Sequence, residues 1–225
     1  MIIVLSLGGS LMNTEQGINQ NYLEEIKKII EKSPNKFGIV TGGGYAARQY
    51  VREVKSRQGN EFEADEAAIE ATQENAKVLI KTLGKSAYPK VPKDFKEAKK
   101  ASEKYKVIVM GGLLPGMTTD SDAVLLTECL EANKLINISN VDGVYNKDPR
   151  KDPTAKKYHF LTHEELINLA FEADKRTAGT HFVFDLLACK LAARSKIELH
   201  FVNGKDLGSV RNAVEGKEHN GTIVR

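Results

Sequence analysis

Hydrophobic runs of two kinds alternate along the chain. Ile2–Leu7 is almost continuously apolar, as expected of a strand buried on both faces. From Asn19 to Lys32, Tyr22-Leu23, Ile26 and Ile29-Ile30 recur at helical spacing, and Pro34-Asn35 ends the run. Phe37–Thr41 predicts a second strand. The helix after it carries Arg48, Tyr50, Val51 and Val54 and breaks at Gln58-Gly59-Asn60. Glu61–Leu83 predicts a long charged helix with Ala68, Ile69, Thr72, Ala76, Leu79, Ile80 and Leu83 on its inner side. Tyr88–Pro92 reads as a short strand or extended turn. Asp94–Tyr105 reads as a lysine-rich helix with a solvated face, touching the body through Phe95 and Ala98.

Val107–Met110 is a short apolar strand. Asp122 then leads into a helical run through Ala123, Leu125, Leu126, Cys129 and Leu130. Lys134–Ser139 is a further strand, and residues 140–145 form a polar, hairpin-like excursion. Lys147–Lys157 is too polar and proline-broken for a regular element. Thr162 caps a helix to Phe171, with Glu165 completing a capping box. Phe182–Arg194 is amphipathic, Ile197–Val202 is the last core strand, Asp206–Val214 is helical, and His219–Ile223 closes as a turn and strand. No internal repeat or flexible linker interrupts the pattern. Strands alternating with helices predict an α/β fold with a largely parallel sheet covered on both faces.

The chemistry gathers at strand ends. Gly8-Gly9-Ser10, Gly42-Gly43-Gly44 and Gly111-Gly112 each follow a predicted strand, and Pro115-Gly116 turns the third loop. Bare backbone N–H groups at a helix start approach an anion closely, and the helix dipole favours it. Three such turns at the carboxyl ends of strands point to a ligand with several anionic groups. Neither the dinucleotide fingerprint nor the P-loop spacing is present. Arg48 follows the triple glycine by one helical turn and can fold over a phosphate; its alternative is a surface ion pair. Asp120 and Asp122 can orient cations or cap the helix. Asp120, expected in the turn itself, is the stronger candidate. Tyr145 can stack on a base or pack within the excursion.

Composition narrows this little further. Of 225 residues 41% are apolar and 28% charged, ordinary for a soluble globule, and a formal charge of +3 gives no nucleic-acid footprint. Cys129 and Cys189 form no C-x-x-C and are expected to be buried small hydrophobes in a reducing cytoplasm. The histidines lack zinc-ligand spacing, so no metal site is assigned, and His163 and His200 are expected to be packing or surface residues. No run reaches membrane-spanning length. The opening MIIVLSLGGSL has the length of a short signal core but no basic flank, and is read as the first strand.

Ser139–Lys157, SNVDGVYNKDPRKDPTAKK, is the most specific segment of the chain. With GGS at Gly8–Ser10, GGGYAAR at Gly42–Arg48, GGLLPGMTTD at Gly111–Asp120 and the closing HNGTIV, it resembles the amino acid kinase family, most closely its archaeal-type uridylate kinases. The resemblance runs from Ile2 to Ile223. It implies a single domain over residues 1–225, a three-layer αβα sandwich with a mainly parallel sheet. The N-terminal half would bind the phosphate acceptor and the C-terminal half ATP. The implied reaction is transfer of the γ-phosphoryl group of Mg²⁺-ATP to UMP, in a cytoplasmic homo-oligomer, a hexamer by resemblance.

By the same resemblance, Gly8, Gly9, Ser10 and Gly44, with Arg48, would cradle ATP phosphates, and Ser6 lies on the strand beneath them. Ser139, Asn140, Tyr145 and Asp148 would surround the ATP base and ribose. Gly43, Asp65 and the loop Leu113, Leu114, Pro115, Gly116, Met117, Thr118 and Thr119 would hold UMP. Asp120 would orient catalytic groups. Asp185 stands where relatives acting on amino acids carry lysine, which favours UMP. Many relatives carry a lysine at the position of Ser6. Arg48 is the candidate replacement cation, with Lys147, Lys151, Lys156 and Lys157 in reserve. The alternatives are a kinase of this fold with another small acceptor, such as carbamate, isopentenyl phosphate or acetylglutamate, and a non-catalytic nucleotide-binding or storage member.

Overall fold

The computed structural model describes residues 1–149, 151–174 and 183–225. In chain order the elements are β1 (Ile2–Leu7), α1 (Gly9–Met12), β2 (Asn13–Thr14), β3 (Gly17–Ile18), α2 (Gln20–Lys32), β4 (Lys36–Thr41), α3 (Gly44–Ser56), α4 (Glu61–Leu83), α5 (Phe95–Lys104) and β5 (Val107–Met110). They continue with α6 (Thr119–Cys129), β6 (Lys134–Ser139), β7 (Val144–Tyr145), β8 (Lys157–Tyr158), β9 (Phe160–Leu161), α7 (His163–Asp174), α8 (Leu186–Arg194), β10 (Glu198–Asn203), α9 (Leu207–Glu215) and β11 (Thr222–Val224).

Seven strands form one sheet in the order β5-β4-β1-β6-β10-β11-β9. The first five run parallel, β11 returns antiparallel to β10, and β9 pairs parallel with β11. Alternate side chains of the parallel strands enter opposite layers, the period-two geometry of a strand. Ile3, Leu5 and Leu7 pack with Leu23, Ile26 and Ile30 of α2, Leu79 of α4 and Val210 of α9. Val4 packs on the other side with Ala123 and Leu126 of α6, Leu166 of α7 and Ala188 of α8. The product is the expected αβα sandwich. Burial on both faces is why the strands read as continuous apolar runs.

Helix ends are fixed by the residues the sequence nominates. Asn60 and Glu63 form a reciprocal capping box on α4, and Thr162 and Glu165 form one on α7. Asp94 and Asp206 cap α5 and α9. Each such cap contributes about 1 kcal/mol.

Several expectations change. Tyr88–Pro92 forms no strand; only Ala87 bridges Val107, and the prolines at 89 and 92 have no N–H to extend a ladder. The hairpin β2–β3 and the strand β9 have no counterpart in the sequence reading; each contributes only two residues to a ladder. The excursion after β6 is a small hairpin, β7 pairing antiparallel with β8, so Lys157 belongs to a strand. The helix expected from Phe182 begins at Leu186 with Asp185 as its cap; Phe182 lies outside the described residues. Cys189 is buried but Cys129 is only half-buried. His200 is a buried packing residue, with Nδ1 2.8 Å from His219 Nε2 and Nε2 2.8 Å from Glu198 Oε1.

Candidate active site

The register of the parallel strands aligns Leu7 with Thr41 and Ile138, Val40 with Met110, and Ile138 with Val202. Gly8, Gly42, Gly111, Ser139 and Asn203 therefore stand along one edge of the sheet, where an α/β sheet opens its crevice. Gly8 N–H donates to Ile138 O at 2.8 Å and Gly42 N–H to Leu7 O at 2.9 Å, tying the two glycine turns to the strand ends.

Those two turns are in backbone contact. A Cβ on Gly9 would stand 2.2 Å from Gly44 N, and one on Gly44 would stand 2.3 Å from Gly9 O. Gly44 also has φ +64°, open to glycine without strain. Asn75 of α4 holds the second turn from beneath. Its Nδ2 donates to Gly42 O at 2.8 Å and Gly43 O at 3.1 Å, and its Oδ1 accepts from Asn13 Nδ2 at 3.1 Å. In α3 the Ala47 N–H reaches Gly43 O, so the amides of Gly44, Tyr45 and Ala46 precede the first intrahelical bond. An anion is favoured there.

A third loop runs from Gly111 to Thr118 over α4. Thr41 Oγ1 donates to Thr72 O at 2.9 Å and lies 3.2 Å from Met110 O, while Gly112 N–H donates to Thr72 Oγ1 at 2.7 Å. Further out, Gly116 N–H donates to Asp65 Oδ2 at 2.8 Å, latching the turn to the first part of α4. Leu114 is 58% exposed at the tip of this loop.

Asp120 does not lie in the turn. Thr118 is the N-cap of α6, accepting from Ser121 N–H, and Asp120 occupies the first helical turn. Oδ1 of Asp120 accepts from Ser6 Oγ at 2.9 Å and from Asn137 Nδ2 at 3.0 Å. Desolvation raises its carboxyl to about 7, with the Asp185 charge adding to the rise and the two hydrogen bonds opposing it. Asp122 is not a cap either. It is buried, accepts from Leu113 N–H at 3.3 Å, and is raised by desolvation to about 6. Asp185 caps α8 through Ala188 N–H, and accepts from the hydroxyls of Thr118 and Ser121. It thereby joins α8 to the loop end.

Beyond β6, Ser139 Oγ accepts from Val141 N–H at 3.2 Å, and Asn140 is exposed. Tyr145 OH donates to Asp142 Oδ1 at 2.7 Å; Lys157 Nζ meets Asp142 Oδ2 at 3.0 Å and Asn220 Oδ1 at 2.7 Å. Desolvation and this carboxylate push the Tyr145 phenol up to about 12. The Asp148 carbonyl accepts from the amides of Lys151 and Asp152, giving the polar loop a turn.

The structure thus gathers Ser6, Gly8, Gly9, Ser10, Gly43, Gly44, Ser139 and Asp120 around one strand edge, with Asp65 and residues 113–119 on one flank. Arg48 stands apart. It is exposed on α3, with its guanidinium 5.7 Å from the centre of the Tyr45 ring. Residues the sequence reading did not assign to the site are Asn75, Asn137 and Thr72, the last placed there only on the inner side of the long helix. Their signal was present: polar side chains on the inner side of a helix, and a lone amide inside the apolar run KLINIS.

Residues 1–203 match the sequence profile of the Amino acid kinase family. The chain belongs to the amino acid kinase family. Among members of the amino acid kinase family, a uridylate kinase from Archaeoglobus fulgidus is 40% identical over 224 residues, covering 100% of both chains. A uridylate kinase from Thermococcus onnurineus is 40% identical over 227 residues, covering 100% of this chain and 99% of its own. The crystal structure of the Archaeoglobus fulgidus uridylate kinase superposes with a TM-score of 0.88, at 40% identity and full coverage of both chains. No helix among the described residues is long and apolar enough to cross a membrane.

Proposed function

We infer that this protein is a UMP kinase, transferring the γ-phosphoryl group of ATP to UMP to give UDP and ADP. The single observation that carries this reading is the strand edge itself. Two glycine turns in backbone contact lie beside a third loop latched by Asp65, with Asp120 set below them. Donor and acceptor phosphates can meet at such an edge.

In this reading the amides of Gly8–Ser10 and Gly44, with Arg48, hold the ATP phosphates. Ser139, Asn140, Tyr145 and Asp148 surround its base and ribose. Gly43, Asp65 and residues 113–119 hold UMP, with Asp65 on the ribose hydroxyls. No group of three or more His, Cys, Asp or Glu gathers to hold a metal among the described residues. Magnesium would come as the nucleotide complex and neutralise phosphate charge. The UMP phosphate is mostly ionised near neutrality, so no strong general base is needed. Alignment of the two phosphates and neutralisation of their charge supply the rate. Asp120 orients the reacting groups, and Asp185 keeps the acceptor loop and α8 in register. By resemblance to that family, the archaeal-type uridylate kinases, we further place the protein in the cytoplasm, in pyrimidine nucleotide biosynthesis, as a homo-oligomer of hexameric type.

The test is ADP release from Mg²⁺-ATP with UMP, and in parallel with CMP, carbamate, isopentenyl phosphate and acetylglutamate. UMP-dependent release with UDP as product is expected. Turnover only with another acceptor would replace the substrate, and no turnover with any acceptor would replace the reaction.

A further inference from the structure

Asn137 sits in the middle of β6, paired with Ser6 of β1 on one side and Phe201 of β10 on the other. Its neighbours along the strand, Ile136 and Ile138, enter the α2 and α4 layer, so Asn137 points with Leu135 toward α6 and α8. It is buried among apolar side chains. Its carbonyl Oδ1 is fully buried and has no hydrogen-bond partner among the described residues. Such an orphan acceptor lowers stability and calls for a reason. The amide is engaged through Nδ2, which donates to Asp120 Oδ1 at 3.0 Å. Ser6 Oγ donates to the same oxygen at 2.9 Å. Asp120 Oδ2 accepts no hydrogen bond among the described residues.

We propose that Asn137 is a positioning residue which, with Ser6, clamps one oxygen of Asp120 against the sheet and leaves the other for the reacting groups. The role rests on the phosphoryl-transfer reading above, whereas the clamp itself does not. Both clamping groups are neutral. They favour the ionised carboxylate by hydrogen bonding alone, and among the described residues no lysine or arginine offsets its burial. Among the described residues, the other titratable groups near Asp120 are acidic. Asp185 and Cys189 face it from α8, and Asp122 follows on its own helix. β1 and β6 present only Ser6 and Asn137, and α5 meets α6 at its far end, near Cys129. Loss of either donor therefore moves the Asp120 titration upward, with no cation among the described residues to compensate.

The experiment follows the Asp120 carboxyl by carbon-13 NMR in the nucleotide-free protein, assigned with Asp120→Asn, for the parent, Asn137→Ala, Ser6→Ala and Ser6→Thr. In Asn137→Ala and Ser6→Ala the midpoint is expected to rise by about one pH unit or more, a tenfold change in ionisation at fixed pH. Ser6→Thr, which keeps a hydroxyl, restores the parent midpoint. The acidic limb of kcat moves by the same amount, with KM for ATP and for UMP within about twofold. An unchanged midpoint in both alanine variants overturns the clamp, as does a kcat loss of equal size at every pH. If Asn137→Ala does not fold, the near-isosteric Ser6→Ala decides. The midpoints need no turnover, so absence of UMP-dependent ADP release in the parent overturns the reaction and leaves the clamp to be judged alone.

Discussion

Asp65 and Gly116 are joined across 51 residues, the carboxylate Oδ2 accepting the backbone N–H at 2.8 Å. The bond connects the start of α4 to the tip of the acceptor loop, where Gly116 turns with φ +80°. An aspartate proposed to hold the ribose hydroxyls therefore also shapes the loop proposed to cover the same ligand. Removing it disturbs one substrate on two counts. Asp65→Ala is expected to raise KM for UMP by about tenfold or more, the loss of a charge-assisted bond. KM for ATP should stay within about twofold. Steady-state kinetics with each substrate varied in turn is the check, and equal rises would remove Asp65 from the acceptor site.

The contact between Gly9 and Gly44 makes Gly44→Ala the most damaging small substitution at the crevice. The added methyl meets a backbone carbonyl at 2.3 Å in a conformation with φ +64°, so neither rotamer change nor a flexible neighbour relieves it. A loss of about 3 kcal/mol is expected. In a protein of this size that lowers Tm by about 6–12 °C. Thermal unfolding measures it, and KM for ATP should rise in whatever fraction remains folded.

Asp120→Asn should trade activity for stability. The folded-state carboxyl is raised to about 7 by desolvation, against 3.8 for its ordinary value. The unfolded chain ionises from about pH 4 upward while the folded one resists until about 7. The group therefore opposes folding most strongly above pH 7, and the penalty fades as pH falls toward 4. The variant is expected to melt a few degrees above the parent at pH 8, with the gap closing by pH 4. Turnover should fall by about a hundredfold or more. Paired melts at the two pH values check the sign; a gap that widens on acidification would reverse the assignment.

Arg48 carries the cation assignment. Exposed and stacked on Tyr45, it can be removed with stability changing by less than about 0.5 kcal/mol. Arg48→Ala should lower kcat by about tenfold or more. Near-parent turnover would transfer the role to another charge, and Lys147, Lys151, Lys156 and Lys157 are the next residues to replace.

Much of the fold is legible in the sequence because parallel strands buried on both faces need unbroken apolar runs. Val107–Met110 meets that need throughout, Ile2–Leu7 everywhere but at Ser6, and Lys134–Ser139 in its Leu135-Ile136 and Ile138 positions. Capping chemistry is local, so Asn60 with Glu63 and Thr162 with Glu165 announce their helices without help from the rest of the chain. Two-residue pairings carry no such signal. Gly17–Ile18 and Phe160–Leu161 become strands only because a partner lies alongside.

The candidate site divides in the same way. Its glycine turns stand out because glycine pairs at strand ends have few other uses. Asn75 does not stand out, because its partners, Gly42 and Gly43, lie 33 and 32 residues away and are backbone carbonyls. Asp120 was misplaced by one structural step. Five hydroxyl or carboxylate side chains in a row, Thr118 to Asp122, suit a helix cap, and only the fold shows that Thr118 takes it.

The abutting glycine turns also act as a fixed gauge. With Gly9 and Gly44 backbone to backbone, the floor proposed to lie beneath the reacting phosphates has no side chain at this contact that could lengthen or shorten it. Discrimination among acceptors therefore belongs to the walls, where the loop latched by Asp65 can change its reach while the distance along the floor stays the same.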